Sequence, residues 1–561
     1  MQKSVNKQSG AALILFALVL VLGATAFLIS QLDGTGVKIE RDKNNALILA
    51  KAKTALIGYA IGVIGSGQRP GDLIRPDSLS TSETPANYDG TADSGCLDAS
   101  KPNGLPLINS SNVNWRCLGR LPWKDLGMSI NAPSENDPNG VMPWYAVSAN
   151  LVDPTCLAVL NSNTLNLAYN PGPLDCSGAT LPYPWLTVHD SNGNVVSNRV
   201  AAVIFISGAA RGTQSRPVSP SLGAASQYLD ALVVPVGCTA PCVPGTYNNA
   251  AMNNDFIMAS EGASYAETSN FNDQLVYITI DELMAAVVNR TAGEARSVLK
   301  GYGNLNSHYP YTAPLGSTIN NFISSGTTLK GMLPIDGTDQ CSCSSSNSCT
   351  CPYSLVNSVF HTRTSGGSYT VPSGLCTISG TTCTCTGLGQ CRNSSGSRAF
   401  TCIAGGACTF TGSGGSTSFT YVPRATHAKA VSPSGGCNIT AGNAVCNSNG
   451  SFWLGLNLPL WFTNNRWQQY FYYQAYDGTN TMTVGSRTGV KALVVGTGAP
   501  IVSIPYAVHI TPPPLSAQTR PSGNINDYLD SIENTNGDLI FEATNKTRTS
   551  NYNDQTFIVA P

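Results

Sequence analysis

Hydrophobic positions follow three kinds of pattern along the chain. The first is unbroken: AALILFALVLVLGATAFLIS, from Ala11 to Ser30, carries no charge. About 20 helical residues reach roughly 30 Å, the thickness of a bilayer's hydrocarbon core. The second has a helical period. From about Val37 to Ile64, residues Ala46, Leu47, Leu49, Ala50, Ala55, Leu56 and Ala60 suit a helix with one buried face. From Asp281, which can cap a helix, DELMAAVVNRTAGEARSVLKGYG sets Leu283, Met284, Val287, Val288, Val298 and Leu299 on an apolar face. The third is strand-like. RVAAVIFISGAARG at 199–212 reads as a buried strand bounded by glycine, and SNFNDQLVYI at 269–278 as another. Residues 65–120, rich in Gly, Pro, Ser, Asp and Asn, read mostly as loop.

These patterns occur twice in one order. AKAKTALIGYAIG at 50–62 has its parallel in EARSVLKGYGNLNSHYPYTAPLG at 294–316. CLGRLPWKDLG at 117–127 and PWYAVS at 143–148 are answered by LPLWFTNNRWQQYFYYQ at 458–474. VAAVIFISGAA at 200–210 returns as VKALVVGTGAP at 490–500, YLD at 228–230 returns at 528–530, and SNFNDQLVYI returns as SNYNDQTFIV at 550–559. The expectation is an internal duplication, with copies at about 37–280 and 281–561.

Three readings fit the uncharged run. Lys3 and Lys7 with Ala24-Thr25-Ala26 would make a secretory signal; the run alone would make a single-span anchor; a short basic leader ending in Gly10 would make a prepilin leader cut before Ala11. An apolar half-helix followed by an amphipathic one, with ALIGYA near its end, resembles type IV pilins and type II secretion pseudopilins. The Leu-Pro-Trp and Trp-Tyr-x-Val strand resemble large members of that family. The resemblance implies processing at Gly10 and Ala11, with Ala11 methylated. It implies a membrane and filament helix carrying Leu13, Ile14, Leu15, Phe16, Leu18, Leu20, Leu22 and Phe27. It implies as partners other pilins, prepilin peptidase and an inner-membrane assembly platform. The fifth residue after that cut is Leu15, where most pilins have Glu. This resembles the tip pseudopilin and argues against a repeating major subunit.

Charged residues make up 11% and the net charge is −1, which gives no electrostatic reason to expect nucleic acid. The even count of 18 cysteines, beside an export signal, reads as disulfides. Short-range pairing gives Cys96–Cys117, Cys156–Cys176 and Cys238–Cys242. The other twelve are Cys341, Cys343, Cys349, Cys351, Cys376, Cys383, Cys385, Cys391, Cys402, Cys408, Cys437 and Cys446, and their connectivity stays open. They fall in a Gly/Ser/Thr-rich insertion at 341–446, just before an expected LPL strand that begins at Leu458; the insertion cannot bury much core, so cross-links must order it. Zinc is the alternative for its C-x-C pairs, although the common zinc spacing is missing.

No phosphate loop, H-E-x-x-H or G-x-S-x-G is present, and the five histidines are scattered. No enzyme is expected. The SN[FY]NDQ runs should form turns in which Asn and Asp bond their own backbone. As weak calcium ligands, Asn272, Asp273, Asn553 and Asp554 are the alternative. Trp123 and Trp144 should pack a core, and the aromatic run Trp467 to Tyr473 a sheet.

The expected fold is α+β: a long N-terminal pilin-like helix, its apolar half in the membrane, then two related antiparallel β-sheet modules. The expected segments are a leader at 1–10, a transmembrane half-helix at 11–36, module 1 at 37–280 and module 2 at 281–561. The expected role is a minor pilin or pseudopilin, single-pass in the inner membrane with its bulk periplasmic before assembly, then in an extracellular filament. A surface adhesin reaching a host or surface ligand through the insertion, or a secreted carbohydrate-active enzyme, are the alternatives.

Overall fold

Each apolar strand run finds an apolar partner. The computed structural model describes residues 41–62, 69–77, 89–93, 116–130, 142–152, 159–163 and most of 185–258 and 271–561. Two units divide the chain. One takes residues 73–152 and 183–279 with the helix as far as Tyr59; the other takes 60–72, 153–182 and 280–561.

In the first unit the strands are β1 (Arg116–Arg120), β2 (Trp144–Ser148), β3 (Leu186–His189), β4 (Val195–Ile206), β5 (Ala231–Val234), β6 (Gly245–Asn248), β7 (Asp255–Ile257) and β8 (Gln274–Thr279). The main sheet runs β1-β2-β4-β3-β7, with β8 also paired to β4. Strand β4 is long enough to serve three neighbours, and its half from Val200 to Ile206 is buried throughout. A continuous apolar run of this kind belongs to a strand covered on both faces. Trp144, Phe205, Leu186, Val203 and Phe256 form the core on one side. The helix over 41–62 buries Leu49, Ala52, Leu56 and Ala60, the three-and-four spacing of one helix face. Lys53 Nζ donates to the Tyr277 carbonyl of β8 (3.0 Å), and Gln274 Nε2 to Asp42 Oδ1 (3.1 Å).

The second unit lays the helix Ile280–Asn306 over an antiparallel sheet of four strands, in the order Gln555–Ala560, Ala492–Gly496, Phe471–Ala475, Lys330–Met332. The helix buries Leu283, Met284, Val287, Val288, Ala292, Ala295, Val298, Leu299 and Tyr302. It starts at Ile280, one residue before the expected cap, Asp281.

The registers of the two sheets coincide at the residues that the sequence repeat aligns. Trp144 faces Phe205 and Tyr145 faces Ile204; Tyr472 faces Val495 and Tyr473 faces Val494. Val203 faces Tyr277, and Leu493 faces Ile558. One match of the repeat is corrected: Gly119 faces Tyr145 and Gly331 faces Tyr473, so the strand that answers Arg116–Arg120 is Lys330–Met332 and not the LPLW run at 458–461. The Tyr145 hydroxyl donates to Ile74 O and the Tyr473 hydroxyl to Pro310 O, each at 3.1 Å. Arg296 Nε donates to Ile558 O (2.9 Å) as Lys53 does to Tyr277 O, and Gln555 Nε2 reaches back to the helix at Ala285 O (3.1 Å).

The α+β expectation with a long, half-membrane N-terminal helix is corrected. The described residues are mostly β, and among them no helix is long and apolar enough to cross a membrane. The same finding overturns the single-pass inner-membrane location. Physically, the two long described helices are amphipathic: each spends one apolar face on its sheet and keeps charges such as Arg41, Lys51, Glu282 and Lys300 on the other. The leader at 1–10 and the run at 11–36, with Gly10, Ala11, Leu13, Ile14, Leu15, Phe16, Leu18, Leu20, Leu22 and Phe27, lie outside the described residues. Two local readings also change. Leu460–Asn464 is a short helix rather than part of a strand, and Trp467–Tyr470 is a 3-10 turn that leads into the buried strand Phe471–Ala475.

The insertion leaves and re-enters through neighbouring strands. Asp339–Ser345 pairs antiparallel with Asn443–Leu456, setting Asp339 opposite Leu454, and both belong to a twelve-stranded sheet. Backbone pairing, and not only cross-links, therefore orders this Ser/Thr-rich segment.

Candidate functional site

The residues singled out as weak calcium ligands are brought together with partners from far along the chain. In the second unit Asp554 lies just before the last strand and is 2% exposed. Its Oδ2 accepts from the Asp530 backbone N–H (2.7 Å) and from Asn534 Nδ2 (3.4 Å). Asp530 answers through both oxygens: Oδ2 accepts from the Asn553 N–H (2.7 Å) and Oδ1 from Gln518 Nε2 (2.9 Å). Asn534 Oδ1 accepts from the Glu542 N–H (2.9 Å).

The first unit repeats this bond for bond. Asp273 Oδ2 accepts from the Asp230 N–H (2.8 Å) and Asn249 Nδ2 (3.1 Å). Asp230 accepts from the Asn272 N–H (2.6 Å) and Gln214 Nε2 (2.7 Å), and Asn249 Oδ1 from the Ile257 N–H (2.9 Å). A Cβ at Gly208 would fall 2.3 Å from Asn272 Cγ, and one at Gly498 would fall 1.8 Å from Asn553 Oδ1. Only glycine lets the Asn side chain lie against the end of the central strand. The expected turn, with Asn and Asp bonding their own backbone, is thus corrected: the carboxylates clasp the YLD segment, 43 residues upstream in the first unit and 24 in the second.

Two buried carboxyls so close perturb each other. Burial first, then the neighbouring Asp530 charge, pushes Asp554 well above the usual carboxylate range. Asp530 is also raised by burial, against the pull of its hydrogen bonds and Arg520. Asp554 Oδ1 has no hydrogen-bond partner among the described residues, a smaller cost for a neutral carboxyl than for a charged one. Arg520 supplies positive charge from within. Its Nη1 donates to Gly498 O (2.7 Å) and Thr497 Oγ1 (3.3 Å), its Nη2 to Gln518 Oε1 (2.8 Å) and Tyr528 O (3.0 Å), and its Nε to Asp527 O. Arg548 reaches Asp281 O and Asn553 O, both at 3.0 Å. Burial draws both guanidiniums below their ordinary values, and Asp530 and Asp554 work against this.

In the second unit this donor set does not fit calcium. Asp554 Oδ2 and both Asp530 oxygens are spent on N–H groups, and two arginines already offset the charge where a divalent ion would need it. Among the described residues no group of three His, Cys, Asp or Glu is placed to hold a metal ion. The arrangement works as a clasp: it fixes the start of the last strand against the YLD segment. Sequence reasoning singled out Asn272, Asp273, Asn553 and Asp554 and noted the YLD repeat, but missed Gln214, Gln518, Asn249, Asn534, Arg520 and Arg548. One signal was present, since Gln-x-Arg-Pro stands before YLD in both copies, at 214–217 and 518–521.

One further cluster lies in the first unit. His189 Nδ1 meets Gly193 O and Nε2 meets Asp255 Oδ1, both at 3.0 Å, and its ring packs 4.7 Å from that of Tyr247. Burial lowers the imidazole's affinity for a proton, but Asp255 and the Gly193 carbonyl outweigh it and the net shift is upward. With an acceptor at each nitrogen, the ring ties the turn after β3 to β7.

Among the cysteines, Cys238–Cys242 and Cys437–Cys446 are disulfides, and Cys117 and Cys341 are disulfide-bonded as well. Cys96, Cys156, Cys176 and Cys351 lie outside the described residues, while Cys343, Cys349, Cys376, Cys383, Cys385, Cys391, Cys402 and Cys408 sit on strands of the insertion. Trp144 is fully buried, with the Arg120 guanidinium 3.8 Å above its ring. No family model, curated protein or solved structure matches the chain.

Proposed function

We propose that the chain is a structural, low-copy subunit of an extracytoplasmic filament of the type IV pilus or type II secretion kind. The observation that supports this most is a helix laid over a largely antiparallel sheet, met twice with matching central registers, a basic helix side chain (Lys53 or Arg296) bonded to a carbonyl of the last strand, and the same carboxylate clasp. The clasp spends its polar groups on holding backbone in place, which suits a scaffold. The proposal rests on this doubled head and not on a membrane span. Its partners are other pilins, prepilin peptidase and an assembly platform. The test is the mass of the N-terminal peptide of mature protein sheared from the cell surface. A start at methylated Ala11 supports the proposal, and a start at Phe27 overturns it.

A second reading, adhesion to a surface or host ligand, can coexist with the first. It is favoured by the way the insertion departs and returns through the adjacent strands Asp339–Ser345 and Asn443–Leu456. Deleting 346–442 should leave both units folded. Loss of attachment with assembly intact would make adhesion the purpose of the insertion; retained attachment would dismiss it.

A further inference from the structure

The registers within the insertion set cysteine opposite cysteine. Strands Asp339–Ser345 and Ser348–Thr350 place Cys343 across from Cys349. Strands Cys376–Ser379 and Thr382–Cys385 place Cys376 across from Cys385, and strands Ala399–Ile403 and Ala407–Thr411 place Cys402 across from Cys408. In the hairpin Ala428–Thr440 and Asn443–Leu456 the same relation, Cys437 across from Cys446, is already a disulfide. Directly opposed residues of antiparallel strands have Cα atoms about 4.5 or 5.5 Å apart, both inside the span that a disulfide bridges, and they share a face of the sheet.

We infer that Cys343–Cys349, Cys376–Cys385 and Cys402–Cys408 are disulfides, so that each of these hairpins carries a staple of its own. Each bond forms as two thiols lose two protons and two electrons to the disulfide of a thiol-oxidising exchange partner, which leaves as two thiols. Each closed loop is short, so each staple should contribute at the low end of the loop-entropy range, and the order of the whole sheet should come from several such staples. Zinc held by the C-x-C pairs would require these thiols free, so it is the competing reading that the same experiment tests.

The test uses the full chain, quenched with an alkylating agent, digested with trypsin without reduction and read by mass spectrometry. Lys and Arg positions isolate the pairs: Cys402 and Cys408 are the only cysteines between Arg398 and Arg424, and Cys437 and Cys446 the only ones between Lys429 and Arg466. Peptide 399–424 should appear unlinked, unalkylated and lighter by two hydrogens than its reduced form. Partial reduction and differential alkylation of peptides 331–363 and 364–392 should place Cys343 with Cys349 and Cys376 with Cys385. Peptide 399–424 joined to another peptide, alkylated Cys402 and Cys408 in the native protein, or other partners for Cys343 or Cys376 would overturn the inference.

Discussion

Replacing Arg520 by Met tests the clasp most directly. The guanidinium is 8% exposed and donates five hydrogen bonds, three of them to the backbone carbonyls of Gly498, Asp527 and Tyr528. Breaking a buried charge arrangement from one side costs about 3–5 kcal/mol, because the opposite charges are left uncompensated. Arg520→Lys keeps the charge but cannot reproduce a planar fork reaching carbonyls on two sides, so it should lose about half as much. Hydrogen exchange of the peptide covering Gln555–Ala560 reads the second unit without interference from the first. On the scale of 1.4 kcal/mol per factor of ten, Arg520→Met should cut its protection by roughly a hundred- to a few-thousand-fold. The effect should depend on pH with a defined sign. Asp530 and Asp554 have folded-state values raised above 3.8, so the folded state holds more protons and the stability contributed by the clasp falls as pH rises through that window. Without Arg520 the window extends upward, and the loss should be larger at pH 7 than at pH 5 after correction for intrinsic exchange. A loss below about 1 kcal/mol, or one equal at the two pH values, would refute the charge-compensation argument.

Two further outcomes are expected. The raised value of His189 makes its contact with Asp255 a contribution that is present below the unfolded value near 6.5 and is lost as pH rises through the folded one. Asp255 has a side chain 45% exposed, so urea unfolding of the first unit should show a dependence of under about 1 kcal/mol, absent in Asp255→Asn; an unchanged profile in that variant would dismiss the contact. Gly498→Ala should destabilise the second unit, and Gly208→Ala the first, each by about 1–3 kcal/mol, through the clash with Asn553 or Asn272. Loss of protection in the wrong unit, or none, would show that the Asn side chains move aside freely.

The strands were legible where apolar runs are long and central. Val200–Ile206 and Ala492–Gly496 are buried on both faces, so they read as near-continuous hydrophobic stretches. The two long described helices were legible from their three-and-four spacing, though not the fate of the uncharged run before them. Leu458 to Phe462 misled, because a short apolar run fits a strand or a helix equally well until its packing is known. The clasp was half legible: Asn272, Asp273, Asn553 and Asp554 stood out by repetition, but no local pattern reveals that Asp273 meets Asp230 and Asn249. In the insertion, composition implied little core, whereas the pairing of Asp339–Ser345 with Asn443–Leu456 depends on backbone groups that composition does not report.

Lys53 on Tyr277 O and Arg296 on Ile558 O have a consequence for how such a protein survives at high local concentration. Among the described residues, strands β8 and Gln555–Ala560 each pair on one side only, and an open strand invites a stranger's strand to pair with it. A chain that carries two similar sheets presents two similar invitations, including one to its own other half. A cationic side chain seated on each last strand makes every copy bring its own guard against cross-pairing. Crowding many such chains side by side then need not end in amyloid-like stacking, and their contacts are left to surfaces other than the strand edges.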